Sequence, residues 1–275
     1  MLKRIISIQD ISCFGKCSLT VALPILSAMG LETAVIPTAV LSTHTGGFTG
    51  YTFRDLTEDI PAIEKHWDSM GLKFDGICTG YLGSKEQVKI VADLFDTFRS
   101  ENTKIIVDPV MGDAGKKYAG FTPDFAAEMK LLCKKADVIT PNMTEVSLLL
   151  GVPYTEEYDE KHIKELLRRL TELGCPSAII TGVRYGDGMH GAAAYDSKTE
   201  TFSSSFQRHI DYPVHGTGDI FSSVLSGAVV KGDTLSEAIE KAVDFTSKSI
   251  EATLPEMDKY WYGVSFEKCL GLLTE

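Results

Sequence analysis

Between residues 61 and 181 helical and strand-like patterns alternate with little interruption. Helices are predicted over 61–70, 84–99, 123–133 and 160–173, with another starting at Asn142. Strands are predicted between them, over 76–79, 104–107, 137–140 and 177–181. That order is the signature of a parallel sheet covered by helices on both faces. Upstream, Arg4-Ile5-Ile6-Ser7-Ile8-Gln9 reads as a buried β-branched strand with Asp10 and Ser12 at its carboxyl end. Leu19, Ala22, Leu23 and Leu26 then recur at helical spacing over 18–29, with Ser18 as N-cap, Gly30 as stop and Pro24 inside, before a strand over 33–38. Residues 188–201 alternate apolar and polar like an antiparallel hairpin, which predicts a mixed edge to the sheet. Helices after Gly216 and over 235–252 close the pattern. No repeat, linker or composition shift divides the chain, so one α/β domain over 1–275 is expected, three layers deep.

Composition bounds the partners. With 275 residues, 44% of them hydrophobic and 24% charged, the chain can bury a large core as a soluble globular protein. The net charge of −11 and the lack of any dense Lys/Arg run argue against nucleic acid or an anionic membrane as partner. A bound phosphate must then be neutralised locally, by helix ends or a metal. The six cysteines are scattered, with Cys13 and Cys17 four apart, so neither a zinc pattern nor a disulfide framework emerges. Reduced thiols and a cytoplasmic location are the expectation. Gln9 and Asp10 interrupt the apolar run after Lys3-Arg4 too early for a signal peptide, and no stretch is long enough to cross a membrane.

Ligands of open α/β sheets collect beyond the carboxyl ends of the strands. Asp10, Tyr81, Asp108, Asn142 and Gly182 each follow a predicted strand, and each would face one crevice. At His215-Gly216-Thr217-Gly218-Asp219, two glycines open a helix whose first N–H groups favour an anion. Asp219 at that mouth reads as a catalytic base, or as a simple helix cap. Asp108-Pro109-Val110-Met111-Gly112-Asp113 offers two carboxylates for Mg²⁺, or a solvated turn. Asn142 and Glu145 form a capping-box pattern that could equally hold the water shell of a nucleotide-bound Mg²⁺. The polar, glycine-rich run over 42–50 is a candidate substrate loop, and Tyr81 could stack on an aromatic substrate or fill the core. His44 is read as structural, and His215 as shaping the turn.

Taken together, Gly80-Tyr81-Leu82-Gly83-Ser84, Asp108-Pro-Val-Met-Gly-Asp113, Thr140-Pro-Asn-Met-Thr-Glu145 and Gly216-Thr217-Gly218-Asp219 resemble the pyridoxal kinases and the related hydroxymethylpyrimidine kinases of the ribokinase-like superfamily. The motifs come in that family's order over nearly the whole chain. The resemblance implies a three-layer α/β/α fold and ATP-dependent phosphorylation of a primary hydroxyl on a vitamin B6 compound. It implies that Asp219 takes the hydroxyl proton while Gly216, Thr217 and Gly218 stabilise the phosphoryl group. It places Asp108, Thr140, Asn142, Thr181, Gly216 and Gly218 around ATP, and Asp108, Asp113, Asn142 and Glu145 around Mg²⁺. Asp10, Ser12, Thr45, Gly46 and Tyr81 would hold the vitamin. The resemblance also suggests a homodimer and leaves a monovalent-cation requirement open.

One position departs from the pyridoxal kinase pattern. Asp10-Ile11-Ser12 is closer to hydroxymethylpyrimidine kinases, which keeps that substrate as an alternative; those enzymes usually carry cysteine where this chain has Asp219. Asp10 either accepts a hydrogen bond from the substrate ring or caps a turn through the amides of Ser12 or Cys13. A nucleotide-binding regulator without catalysis is the reading from another class, and Asp219 argues against it.

Overall fold

The computed structural model describes residues 2–118, 121, 124–186, 188–210 and 215–274. Nine strands form one sheet. Strands β1 (Arg4–Ser12), β2 (Glu32–Leu41), β4 (Gly76–Thr79), β5 (Lys104–Val107), β8 (Val138–Ile139) and β9 (Ser177–Tyr185) run parallel. Antiparallel strands finish both edges: β3 (Phe53–Asp55) beyond β2, and β10 (Met189–Asp196) with β11 (Thr201–Arg208) beyond β9. The strand order is β11-β10-β9-β8-β5-β4-β1-β2-β3. The hairpin predicted near 188–201 is therefore present and longer, while β3 was not foreseen.

Register positions the site. Ile8 lies beside Thr79, Thr79 beside Val107, Val107 beside Ile139 and Ile139 beside Ala178, so one row crosses the sheet at the carboxyl ends of β4, β5 and β8. Along each strand alternate side chains enter different cores, as a period of two requires. Ile6, Ile8, Ile77, Ile105 and Val107 join one cluster with α2 (Ile60–Ser69), α3 (Lys85–Phe98), α4 (Phe125–Lys134), α5 (Met143–Leu150) and α6 (Glu160–Thr171). Ile5, Cys78, Ile106, Val138 and Ile179 join the other, with α1 (Leu19–Ala28), α7 (Thr217–Lys231) and α8 (Leu235–Thr253). The result is the three-layer α/β/α arrangement that the alternation of patterns requires.

Several boundaries differ from the sequence reading for physical reasons. β1 does not stop at Gln9; after an irregularity between Gln9 and Ile11 it pairs on to Ser12 against Leu41, so Asp10 lies within the strand. β9 runs past Thr181, with Gly182 at φ +70° where its pairing with β10 shifts by one residue. Ser18 precedes α1 as expected, yet its side chain does not cap the helix. The helix predicted from Pro123 begins at Phe125; Pro123 itself lies outside the described residues. A small hairpin of β6 (Gly112–Asp113) and β7 (Lys116–Lys117), and short 3₁₀ turns at Leu254–Glu256 and Phe266–Leu273, complete the described chain. Among the described residues no helix is long and apolar enough to cross a membrane.

Candidate active site

Gly216 enters α7 in left-handed backbone, φ +83°, and a Cβ there would sit 2.3 Å from the Lys16 carbonyl oxygen. Only glycine fits. No side chain caps the helix, so its first N–H groups are left for a ligand. A Cβ at Gly218 would meet no protein atom, so its absence leaves open space above the helix end. Asp219 is the third helical residue. Burial, helped by the negative charge of Asp10, pushes its carboxyl up to about 6, against the opposing donors Ser18 N–H and Cys17 Sγ–H.

Asp108 follows β5 and its amide donates to the Thr79 carbonyl at 3.3 Å. Burial and the charge of Asp219 push its carboxyl up to about 8, opposed by the Ser222 hydroxyl. Glu145 is buried. Its Oε2 accepts from Asn142 N–H at 2.9 Å, completing the capping box, while Oε1 accepts from Met111 N–H at 3.0 Å. Burial and Asp108 raise its pKa well above the usual carboxylate range. The capping box is thus real, and the same carboxylate ties the 108–112 loop to α5. Asn142 is also engaged, with Oδ1 accepting from Glu145 N–H and Nδ2 donating to Gly112 O. Asp113 is exposed on the small hairpin and accepts from Ala114 N–H. Thr140 is buried with its hydroxyl unpaired among the described residues, which leaves a donor for a ligand. Thr181 N–H bonds Pro141 O at 3.0 Å, which brings it beside the Asn142 cap.

A nucleotide-borne Mg²⁺ fits this donor set, and a dedicated metal cage does not. After burial, the charge of Asp10 raises Asp219, that of Asp219 raises Asp108 and that of Asp108 raises Glu145, with no Lys or Arg among the groups that shift them. A cation would relieve that repulsion. Yet the oxygens of Glu145 already accept backbone N–H groups, and no group of three His, Cys, Asp or Glu side chains converges on a metal position among the described residues. Were Mg²⁺ to arrive with a nucleotide, Asp108 would be the residue to meet the ion or its water, with Glu145 acting through charge.

On the other side of Asp219, Asp10 is only 5% exposed. Its Oδ2 accepts from Ser12 Oγ at 2.9 Å and its Oδ1 from Ser18 Oγ at 2.6 Å, and burial raises its pKa. Neither amide cap expected from the sequence is the partner; two hydroxyls are. Ser12 is 1% exposed and spends its hydroxyl on Asp10. Tyr81 is half-buried, its ring 5.8 Å from that of Phe121. Thr45 is exposed at the loop tip, and Gly46 packs so close to His215 that a Cβ would lie 2.7 Å from its ring. His44 is structural as read: Gly46 N–H donates to Nδ1, so Nε2 carries the proton and donates to Tyr262 O at 2.6 Å.

Sequence reasoning missed five residues in three places. Cys17 and Ser18 reach Asp219 from a turn with no motif of its own. Tyr118 follows the hairpin and stays 44% exposed; partial desolvation and the charges of Asp113, Glu145, Asp219 and Asp108 push its phenol up. Trp261 and Tyr262 pack against the 42–50 loop, with the Trp261 and Phe48 rings 4.7 Å apart. Aromatics in two glycine-rich loops were the available signal.

Known proteins resemble this chain in sequence and fold. The profile of the phosphomethylpyrimidine kinase family matches residues 23–262. A pyridoxine/pyridoxal/pyridoxamine kinase of Bordetella avium is 27% identical over 266 residues, 92% of this chain and 86% of that one. A structure from Bacteroides thetaiotaomicron, provisionally described as a phosphomethylpyrimidine kinase and crystallised with pyridoxal, superposes with a TM-score of 0.95 at 39% identity, covering 100% of this chain and 96% of that one. Pyridoxal kinase from Lactobacillus plantarum superposes at 0.91 with 31% identity, covering 99% and 97%. With its fold, its Asp219 helix mouth and its full-length similarity in agreement, this chain belongs to the phosphomethylpyrimidine kinase family, within the ribokinase-like group that includes the pyridoxal kinases.

Proposed function

We propose that this chain is a single-domain, ATP-dependent pyridoxal kinase that phosphorylates the 5′-hydroxymethyl group of pyridoxal, pyridoxine or pyridoxamine. The observation that carries the reading is Asp219, a carboxyl raised to about 6 beside uncapped amides at the start of α7. A base with a pKa near neutrality, set against an anion site, suits removal of a hydroxyl proton as phosphoryl transfer begins. Asp219 takes that proton, and the amides at Gly216, Thr217 and Gly218 hold the transferring group. Asp108, Thr140, Asn142 and Thr181 line the nucleotide side. Mg²⁺, when bound with the nucleotide, neutralises phosphate charge beside Asp108, with Asp113 and Glu145 adding to its field. Tyr81, Thr45 and Gly46 surround the vitamin ring, and Asp10 with Ser12 shapes the floor. A cytoplasmic homodimer completes the reading. Pyridoxal in the 39%-identical Bacteroides structure supports the substrate.

The family profile and the Asp10-Ile11-Ser12 run favour hydroxymethylpyrimidine as a second substrate reading. A panel of pyridoxal, pyridoxine, pyridoxamine and hydroxymethylpyrimidine with Mg-ATP separates them. Turnover is expected with the vitamin B6 alcohols. A higher kcat/KM for the pyrimidine would overturn the assignment, and ATP binding without turnover of any alcohol would leave a regulator.

A further inference from the structure

The turn before α1 is strained. Gly15, Lys16 and Ser18 have φ of +120°, +60° and +56°. Left-handed backbone is unfavourable for a non-glycine residue and persists only where its surroundings dictate it. Those surroundings are visible. Lys16 Nζ pairs with Glu267 at 2.7 Å and lies 5.1 Å from the Tyr260 ring centre, and a Cβ on Gly263 would come 2.7 Å from Lys16 Cβ. On its opposite side the turn meets the helix mouth, since a Cβ on Gly216 would lie 2.3 Å from Lys16 O and 3.6 Å from Cys17 Sγ. Cys17 Sγ thus stands at the helix mouth, where the Ser18 amide and the Cys17 thiol both favour the charged form of Asp219. The Ser18 hydroxyl meanwhile goes to Asp10 at 2.6 Å, so one turn holds two carboxylates apart.

We propose that Cys17 is a positioning residue for phosphoryl transfer, its thiol holding the Asp219 carboxylate in one orientation at the mouth of α7. The inference rests on Asp219 being the base. The thiol acts as a donor, because burial and the charges of Asp219 and Asp10 push its pKa far up and keep it protonated. A thiol is a weak donor, so its removal frees the carboxylate to rotate without unfolding the site.

The experiment compares Cys17→Ala, Cys17→Ser, Asp219→Asn and the double variant Cys17→Ala/Asp219→Asn. Cys17→Ala is expected to lower kcat about three- to tenfold, the scale of one weak hydrogen bond to a charged group, with both KM values and the unfolding midpoint unchanged. Cys17→Ser, which restores a donor, should recover most of the rate. In the Asp219→Asn background the same alanine substitution should cost nothing more, because the group it orients is gone. Native kcat in Cys17→Ala, or a loss that persists in the Asp219→Asn background, overturns the positioning role. Near-native turnover in Asp219→Asn alone instead removes the base assignment, so the two failures are distinguishable.

Discussion

The two ends of the sheet carry charge in opposite ways. At the amino ends of β8 and β9 a groove of about 500 Å³ is lined by Asp96, Arg99, Lys134, Lys135, Asp137 and Lys198. There opposite charges meet: Lys135 pairs with Asp96 at 2.5 Å and Arg99 with Asp137 at 3.6 Å, all partly exposed. Such pairs sit comfortably in water and contribute about 0–1 kcal/mol each. At the carboxyl ends Asp10, Asp108, Asp219 and Glu145 gather with no Lys or Arg pairing, held by hydroxyls, amides and a thiol. The open groove is electrostatically settled; the crevice is not. Unsettled charge that the fold maintains at a stability cost, rather than concavity, marks the chemistry.

The strongest way to break the comparison is Asp219→Asn. We expect kcat to fall on the order of 10²–10⁴-fold with nucleotide binding kept, measured by steady-state turnover and ATP titration. Near-native turnover would make the crevice no more functional than the groove. Next comes Glu145→Ala, which strands two buried N–H groups, those of Met111 and Asn142. Urea unfolding should show a loss of about 2–4 kcal/mol. A larger Mg²⁺ requirement in Glu145→Gln, with little loss of stability, would sharpen its metal role separately.

The pH dependence tests the crevice as a whole. Asp108, raised to about 8, and Asp219, raised to about 6, hold protons in the folded chain that the unfolded chain releases near 3.8. The folded state therefore binds more protons between those values, and stability falls as pH rises from about 4 towards 8. The melting temperature of the ligand-free protein should be higher at pH 6 than at pH 8, and Mg²⁺ should narrow the gap. A flat profile would mean the carboxyls are compensated after all. The rate follows the other direction, with kcat/KM declining below about pH 6 as Asp219 gains its proton. The smallest effect belongs to the groove: Arg99→Ala should leave kcat unchanged and shift stability by about 1 kcal/mol or less. A marked loss of activity there would erase the distinction between the two ends.

How much was legible in the sequence follows from what each residue had to signal. The strands Gly76–Thr79 and Lys104–Val107 were read at their observed limits because apolar runs between polar ends leave little choice. The predicted strand ends at Gln9 because polar Asp10 and Ser12 follow it, yet the chain pairs with β2 as far as Ser12 and the two polar side chains satisfy one another inside the strand, which composition does not reveal. The Asn142 and Glu145 cap was legible from local spacing, whereas the Glu145 bond to Met111 depended on tertiary packing. The left-handed backbone at Lys16 and Ser18 had no signal at all, for neither residue type favours it.

The pairing of Lys16 with Glu267 spans 251 positions in the chain. A ribosome therefore delivers the strained turn long before the residues that hold it. Contacts of such separation form late, after the local strands and helices have condensed. A nascent chain would display its strand ends and loops well before Gly216, Gly263 and Glu267 arrive to fix the turn and, through it, Asp219. On the proposed role of Asp219, a nascent chain that has not yet reached Glu267 would expose the crevice without a positioned base.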